Sequence, residues 1–276
     1  MADTQKEMSF LGHLEELRWH LVRSAAAILI IAIVIFTFQK EVYEHFLLAH
    51  LKSDFVTYRY FCHIFQLIHI ESAFCEVSFS DTKLQSIEVT SQLMSAIWTS
   101  LILGIILSFP YILWEIWRFV SPGLTAKEIK NSRGFIFVAS LLFFIGVAFS
   151  FYVIAPISVH FLYNYQITDE IVNSFKLRSH IGLITNMLLG VSILFELPVL
   201  VYFLTKAGLI TPEFLRKYRK HALVVVLIVA AIITPPDIAS QVIVAIPILI
   251  LYEISIRVSK IVIKNQQKNA QKSPRI

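Results

Sequence analysis

The sequence predicts an all-α integral membrane protein with six transmembrane helices, N-in and C-in, the last two helices short. Three observations carry this. Hydrophobic residues make up 57% of the chain and charged residues only 16%, against about a quarter charged in an ordinary soluble chain. The charges are absent from long stretches rather than thinned evenly, as suits a bilayer, where an unpaired charge at mid-helix costs roughly 2.5–3.5 kcal/mol on insertion scales. Lys and Arg also segregate. With the N-terminus inside, the outer segments hold Lys40, Lys52, Arg59, Lys83, Lys176 and Arg178, and the other eighteen of the 24 are inner. That asymmetry sets the orientation. It also makes the net charge of +5 a property of basic cytoplasmic loops, with no nucleic-acid partner implied.

The spans follow in order. The first apolar run is Ser24–Phe38, extended backwards by Leu21 and Val22. The second lies within Val89–Trp114 and the third runs from Gly134 to about Tyr163. The fourth, Ile181–Thr205, is interrupted by Glu196. The fifth, Ala222–Pro235, and the sixth, Ile238–Tyr252, are separated only by a Pro-Asp turn. A span takes about 20 residues at 1.5 Å each, so the last two reach only ~22 Å. Before the first run, residues 1–22 form a cytoplasmic amphipathic helix with Phe10, Leu14, Leu17 and Leu21 on one stripe. The six-helix domain covers 23–260, with a long outer loop at 39–90. Within that loop Phe61–Ile70 partly alternates and is aromatic-rich, fitting strands or short surface helices. Residues 261–276 form a basic, disordered tail. The start of the chain lacks a basic n-region and a cleavage site, so the N-terminus is expected to be retained. No internal repeat is visible, which argues against an inverted-repeat transporter.

Several residues stand out chemically. Glu15 and Glu16 are acids on an otherwise basic inner face, beside anionic lipid, and suit a site that receives a cation. A membrane-surface anchor is the plainer alternative. Phe119-Val120-Ser121-Pro122-Gly123-Leu124 makes a tight turn after the second span, and Glu128 follows it. Trp114 and Trp117 flank it at interface depth. Glu196 is an intramembrane carboxylate, which must face a cavity, a partner or a proton. Pro198 strips the carbonyl of Leu194 of its helical donor, so a kink is expected there. A neutral carboxyl bonded to that freed carbonyl is the alternative. Thr234-Pro235-Pro236-Asp237 makes a rigid outer hairpin, with Asp237 able to cap the sixth helix. Cys62 and Cys75 share the outer loop and can pair in an oxidising compartment or remain thiols. His63 and His69 lie nearby and raise a metal-site reading, but their spacing is not diagnostic of one. No phosphate loop, H-E-x-x-H or G-x-S-x-G motif is present, so neither an enzyme nor a cofactor is indicated.

These motifs together resemble the TatC family, the polytopic core of the twin-arginine protein translocase. The resemblance rests on His13-Leu14-Glu15-Glu16-Leu17-Arg18, on Ser121-Pro122-Gly123-Leu124 with Glu128, on Phe195-Glu196-Leu197-Pro198, and on Thr234-Pro235-Pro236-Asp237. It implies a function: binding Arg-Arg signal peptides at the cytoplasmic face and moving folded proteins across the inner membrane with the proton-motive force. It implies TatA- or TatB-type single-span partners, membrane lipid and self-association. It assigns signal binding to Glu16 and Glu128, with Phe119 and Glu15 beside them, the intramembrane acid to Glu196 and the outer-loop acid to Asp237. The match departs at Trp19-His20, where a basic residue is usual, and in Leu48-Ala49-His50-Leu51, which lacks a proline. The rival reading is an ion-coupled small-solute transporter with Glu196 as a proton relay.

Overall fold

The computed structural model describes residues 10–67, 75, 84–120, 132–168, 170, 173–234 and 238–272. Among the described residues all regular structure is helical, and a single isolated bridge joins Gln85 to Lys176. The helices are α1 (Phe10–Thr37), α2 (Gln39–Val42), α3 (Val56–Leu67), α4 (Ser91–Val120), α5 (Ser132–Phe149), α6 (Ala155–Asn164), α7 (Leu177–Phe195), α8 (Leu197–Lys206), α9 (Pro212–Lys217), α10 (Arg219–Ile233) and α11 (Ile238–Lys272). Among the described residues five segments are long and apolar enough to cross a membrane: Leu14–Thr37, Ser91–Val120, Gly134–Asn164, Leu177–Lys206 and Ser240–Lys268.

The fifth apolar run forms α10, 15 residues long and short as expected, beside the five longer segments among the described residues. Two expectations change. The sixth run is not short: α11 has 35 residues. Its apolar run stops near Tyr252, but the Lys, Gln, Arg and Ile residues beyond are good or fair helix formers with no Pro or Gly among them, so the helix continues. For the same reason residues 261–272 are helical rather than a disordered tail. At the other end α1 runs unbroken from Phe10, so the amphipathic segment and the first span are one helix. Its stripe residues Leu14 and Leu21 are exposed on the protein surface. The outer loop resolves its helix-or-strand ambiguity towards helix, with Phe61 to Leu67 inside α3.

The chain divides into two compact units, residues 1–42 with 93–141 and residues 43–92 with 142–276. In the first, α1 and α4 approach closely at Gly104. A Cβ there would lie 2.9 Å from the Ile28 carbonyl oxygen and 3.1 Å from the Ala32 Cβ. Small residues permit this contact, which drives helix association where lipid removes the hydrophobic drive. In the second unit, Gly146 does the same for α5 against α7, where a Cβ would meet Ser192 Cα at 2.8 Å.

The second unit also has a polar cap built on a proline. Residues Ser150–Ile154 form a π turn, and Ala155 N–H bonds back to the Ser150 oxygen. The Phe151 carbonyl is thereby left without its helical donor. Pro156 has no N–H to give the Tyr152 carbonyl. The outer loop supplies both missing bonds: His50 Nε2 donates to the Phe151 oxygen at 2.8 Å, and Thr57 Oγ1 to the Tyr152 oxygen at 2.5 Å. Tyr58 OH lies 2.9 Å from the His50 oxygen and 3.2 Å from the Pro156 oxygen. Burial pushes the His50 imidazole below its ordinary pKa, partly opposed by its backbone contacts, and pushes the Tyr58 phenol up. The Cys62–Cys75 disulfide is formed, with a Cα–Cα distance of 4.9 Å, and it ties the middle of α3 to Cys75.

Candidate functional site

The sequence-predicted acids separate once folded. Glu15 is exposed and takes Arg18 Nη1 at 3.2 Å, an intrahelical pair three residues apart. Such exposed pairs contribute a few tenths of a kcal/mol, about 0.3–0.5. Glu16, on the neighbouring face of α1, is half-buried. One turn further along α1 is His20, 7% exposed. Its Nδ1 contacts the Glu115 carboxylate of α4, which is 1% exposed. Phe119, one turn after Glu115, presents its ring to His20 edge-on, with centroids 6.2 Å apart. Glu16, His20, Glu115 and Phe119 thus form a ladder across α1 and α4.

The charge pattern around Glu115 has a physical cause. An acid near a helix C-terminus opposes the helix dipole, and a buried one without a partner is costly. Three cationic or ionisable groups offset this. His20 contacts Oε2, Arg23 Nη1 lies 3.9 Å from the same oxygen, and Arg118 Nη1 lies 3.8 Å from Oε1. Both arginines are half-exposed. Arg118 also sits over the exposed Trp114 ring, 5.1 Å from its centroid. Trp117, in contrast, is buried against Phe135 rather than standing in an interfacial belt. Sequence reasoning passes over His20 and Glu115. The signal that could find Glu115 is the one that singles out Glu196: a lone carboxylate inside an apolar run.

Where the sequence predicts a kink, the helix is interrupted at Glu196. α7 ends at Phe195 and α8 begins at Leu197, with Glu196 at φ −76° and ψ −1° between them. Pro198 sits in the first turn of α8, where its missing N–H costs nothing. Glu196 N–H bonds to the Ile193 oxygen at 3.1 Å, tightening the last turn of α7. Both carboxyl oxygens of Glu196 are buried without a hydrogen bond of good geometry, and the backbone of Phe143 is the polar group that faces them. Glu128, Pro122, Pro235, Pro236 and Asp237 lie outside the described residues. His63 is exposed, His69 is not described, and among the described residues no three His, Cys, Asp or Glu side chains converge as metal ligands.

Comparison with known proteins agrees with this arrangement of helices. The pattern of the family described as Sec-independent protein translocase protein (TatC) matches residues 12–247. A Sec-independent protein translocase protein TatC from Blattabacterium sp. subsp. Periplaneta americana is 39% identical over 266 residues, covering 96% of this chain and 100% of that protein. The corresponding protein of Helicobacter pylori is 37% identical over 250 residues, covering 91% of this chain and 87% of its own length. A crystal structure of the twin arginine translocase receptor TatC superposes with a TM-score of 0.70 at 32% identity, covering 91% of this chain and 99% of that one. A multi-pass membrane protein with this match is a protein-translocase component and not a member of an enzyme family. The chain belongs to the Sec-independent protein translocase TatC family.

Proposed function

We propose that this protein receives Arg-Arg signal peptides at the cytoplasmic face of the inner (cytoplasmic) membrane and helps to export folded proteins, using the proton-motive force. Self-association and TatA- or TatB-type single-span partners complete the machine. Both termini are cytoplasmic in this reading, which puts Glu16, Phe119 and Glu128 on the receiving side and Asp237 on the outer one. The carrying observation is the half-buried Glu16 beside the His20–Glu115–Phe119 cluster, in a chain of this family.

The chemistry supports arginine as the ligand. A guanidinium gives a carboxylate two parallel hydrogen bonds, which lysine cannot reproduce. A fully exposed pair such as Glu15–Arg18 is too weak to select a signal. Partial burial, as at Glu16, strengthens the same contact. Glu128 is the second acid of this reading, and Glu196 lies where the apolar part of the signal passes. The small-solute transporter reading draws no support from the family match.

The test is export. A folded reporter carrying an Arg-Arg signal, in a strain lacking its own TatC, should reach the periplasm only when this protein is supplied. Replacing the pair by Lys-Lys should abolish most of that export. Glu128→Ala should remove cross-linking of the signal peptide, whereas Asp237→Asn should leave it. Equal export with Lys-Lys, or undiminished cross-linking in Glu128→Ala, would overturn the assignment.

A further inference from the structure

Within the first unit one polar contact joins two spans in a place where polar contacts are expensive. His20 on α1 and Glu115 on α4 are 7% and 1% exposed, and they meet through Nδ1 and Oε2. Each has a residue of the proposed signal site one turn away on its own helix. Glu16 lies four residues before His20, and Phe119 four residues after Glu115. Residues four apart share a helix face. The His20 ring also touches Phe119 directly.

We propose that His20 and Glu115 are positioning residues, whose buried contact fixes the register of α1 against α4 and so holds Glu16 and Phe119 at the spacing a signal peptide engages. This rests on the signal-receptor reading above. The close approach at Gly104 brings the helices together and constrains their register sterically at mid-span. The buried polar pair adds a directional constraint at the end where Glu16 and Phe119 lie. A shift of one residue would strand Glu115 in an apolar environment without its partner, and a single buried polar pair is known to set helix register in this way. The other groups facing Glu115 are Arg23, Arg118 and Tyr111. Neither arginine is within hydrogen-bond distance of the carboxylate, so they balance its charge without fixing its position.

The experiment uses the full-length protein in lipid nanodiscs and a fluorescent peptide carrying an Arg-Arg motif and its apolar segment, with a Lys-Lys peptide as reference. The decisive variant is the double His20→Phe, Glu115→Leu. It replaces both polar partners with apolar groups, which usually preserves or raises stability. Melting should be unchanged while the Arg-Arg peptide binds about tenfold to a hundredfold more weakly, the cost of misplacing a contact by about 1 Å. Glu115→Gln keeps an oxygen that accepts from His20 and should bind within about threefold of the parent, well under the tenfold step of 1.4 kcal/mol. Thr57→Val, in the other unit, should leave binding unchanged. Parent-like affinity in the double variant overturns the inference, as does a loss in Glu115→Gln as large as in the double. If the parent protein itself does not prefer Arg-Arg to Lys-Lys, the receptor reading fails instead, and the two failures are distinct.

Discussion

Glu115 and Glu196 are both carboxylates inside helices long enough to cross a membrane, yet the fold surrounds them in opposite ways. Glu115 belongs to an unbroken helix and meets His20, with Arg23 and Arg118 at 3.9 and 3.8 Å. Glu196 stands at a break between two helices, where no cationic side chain pairs with it among the described residues and the Phe143 backbone faces it. An intramembrane acid is therefore not one kind of feature: Glu115 sits among cationic side chains from two helices, whereas Glu196 sits at a proline-marked break with the Phe143 backbone facing it. The proline at 156 sharpens the point, because the carbonyls exposed there are met by His50, Thr57 and Tyr58.

The largest effect expected from this contrast is at Glu115. His20→Ala leaves a buried charge without its partner and should cost about 3–5 kcal/mol, seen as a lower denaturation midpoint in detergent. A cost below about 1 kcal/mol, the size of an exposed pair, would show that Glu115 is as unpartnered in effect as Glu196. Next is the Cys62–Cys75 bridge. Its removal should cost about 2–4 kcal/mol, and a thiol-blocking reagent should add mass at both cysteines only after reduction. A mass gain without reductant would contradict the bridge. Thr57→Val removes the bond to the Tyr152 oxygen and should cost about 1 kcal/mol. The smallest stability change is expected at Glu196. Glu196→Gln removes an ionisable group from a buried site while keeping an oxygen for the Phe143 backbone, and should leave the midpoint unchanged or slightly raised. Export should nonetheless fall, and a stability loss matching His20→Ala would erase the contrast.

A pH dependence separates the cap from both carboxylates. Burial holds the folded His50 below the 6.5 of its unfolded form. The unfolded chain therefore binds more protons as pH falls through that value. The His50 contribution is complete above about pH 6.5 and declines as pH drops towards the folded value, by at most about 1.4 kcal/mol per pH unit. His180 is the other titratable imidazole close to it. A His50→Gln variant should show a flatter stability profile between neutral and mildly acidic pH, and an unchanged slope would reassign the effect to His180.

Much of the architecture was legible from hydropathy, because a bilayer imposes long apolar runs and a charge asymmetry that survive in a single sequence. The break at Glu196 was legible too, since Pro198 acts on its own helix. Less legible was where helices end without apolar residues to mark them. α11 runs on to Lys272 because its polar residues are helix formers, which hydropathy does not register. The pairing of His20 with Glu115 was not legible. The two lie 95 residues apart, and neither has a local pattern that names the other.

By itself, then, the sequence determined an all-helical membrane protein, the order of its apolar segments, the proline-marked break and the family motifs, because each is written in residues close together along the chain. Only the tertiary structure decided which acids have partners. It buried Glu115 against His20, left Glu15 to Arg18 at the surface, brought His50 and Thr57 to the carbonyls around Pro156, and set Glu196 against the Phe143 backbone with no cationic side chain paired to it among the described residues. The reason is physical. Whether a buried polar group is satisfied depends on which helix packs beside it, and that packing is set by small residues and shape rather than by the neighbours of that group in sequence.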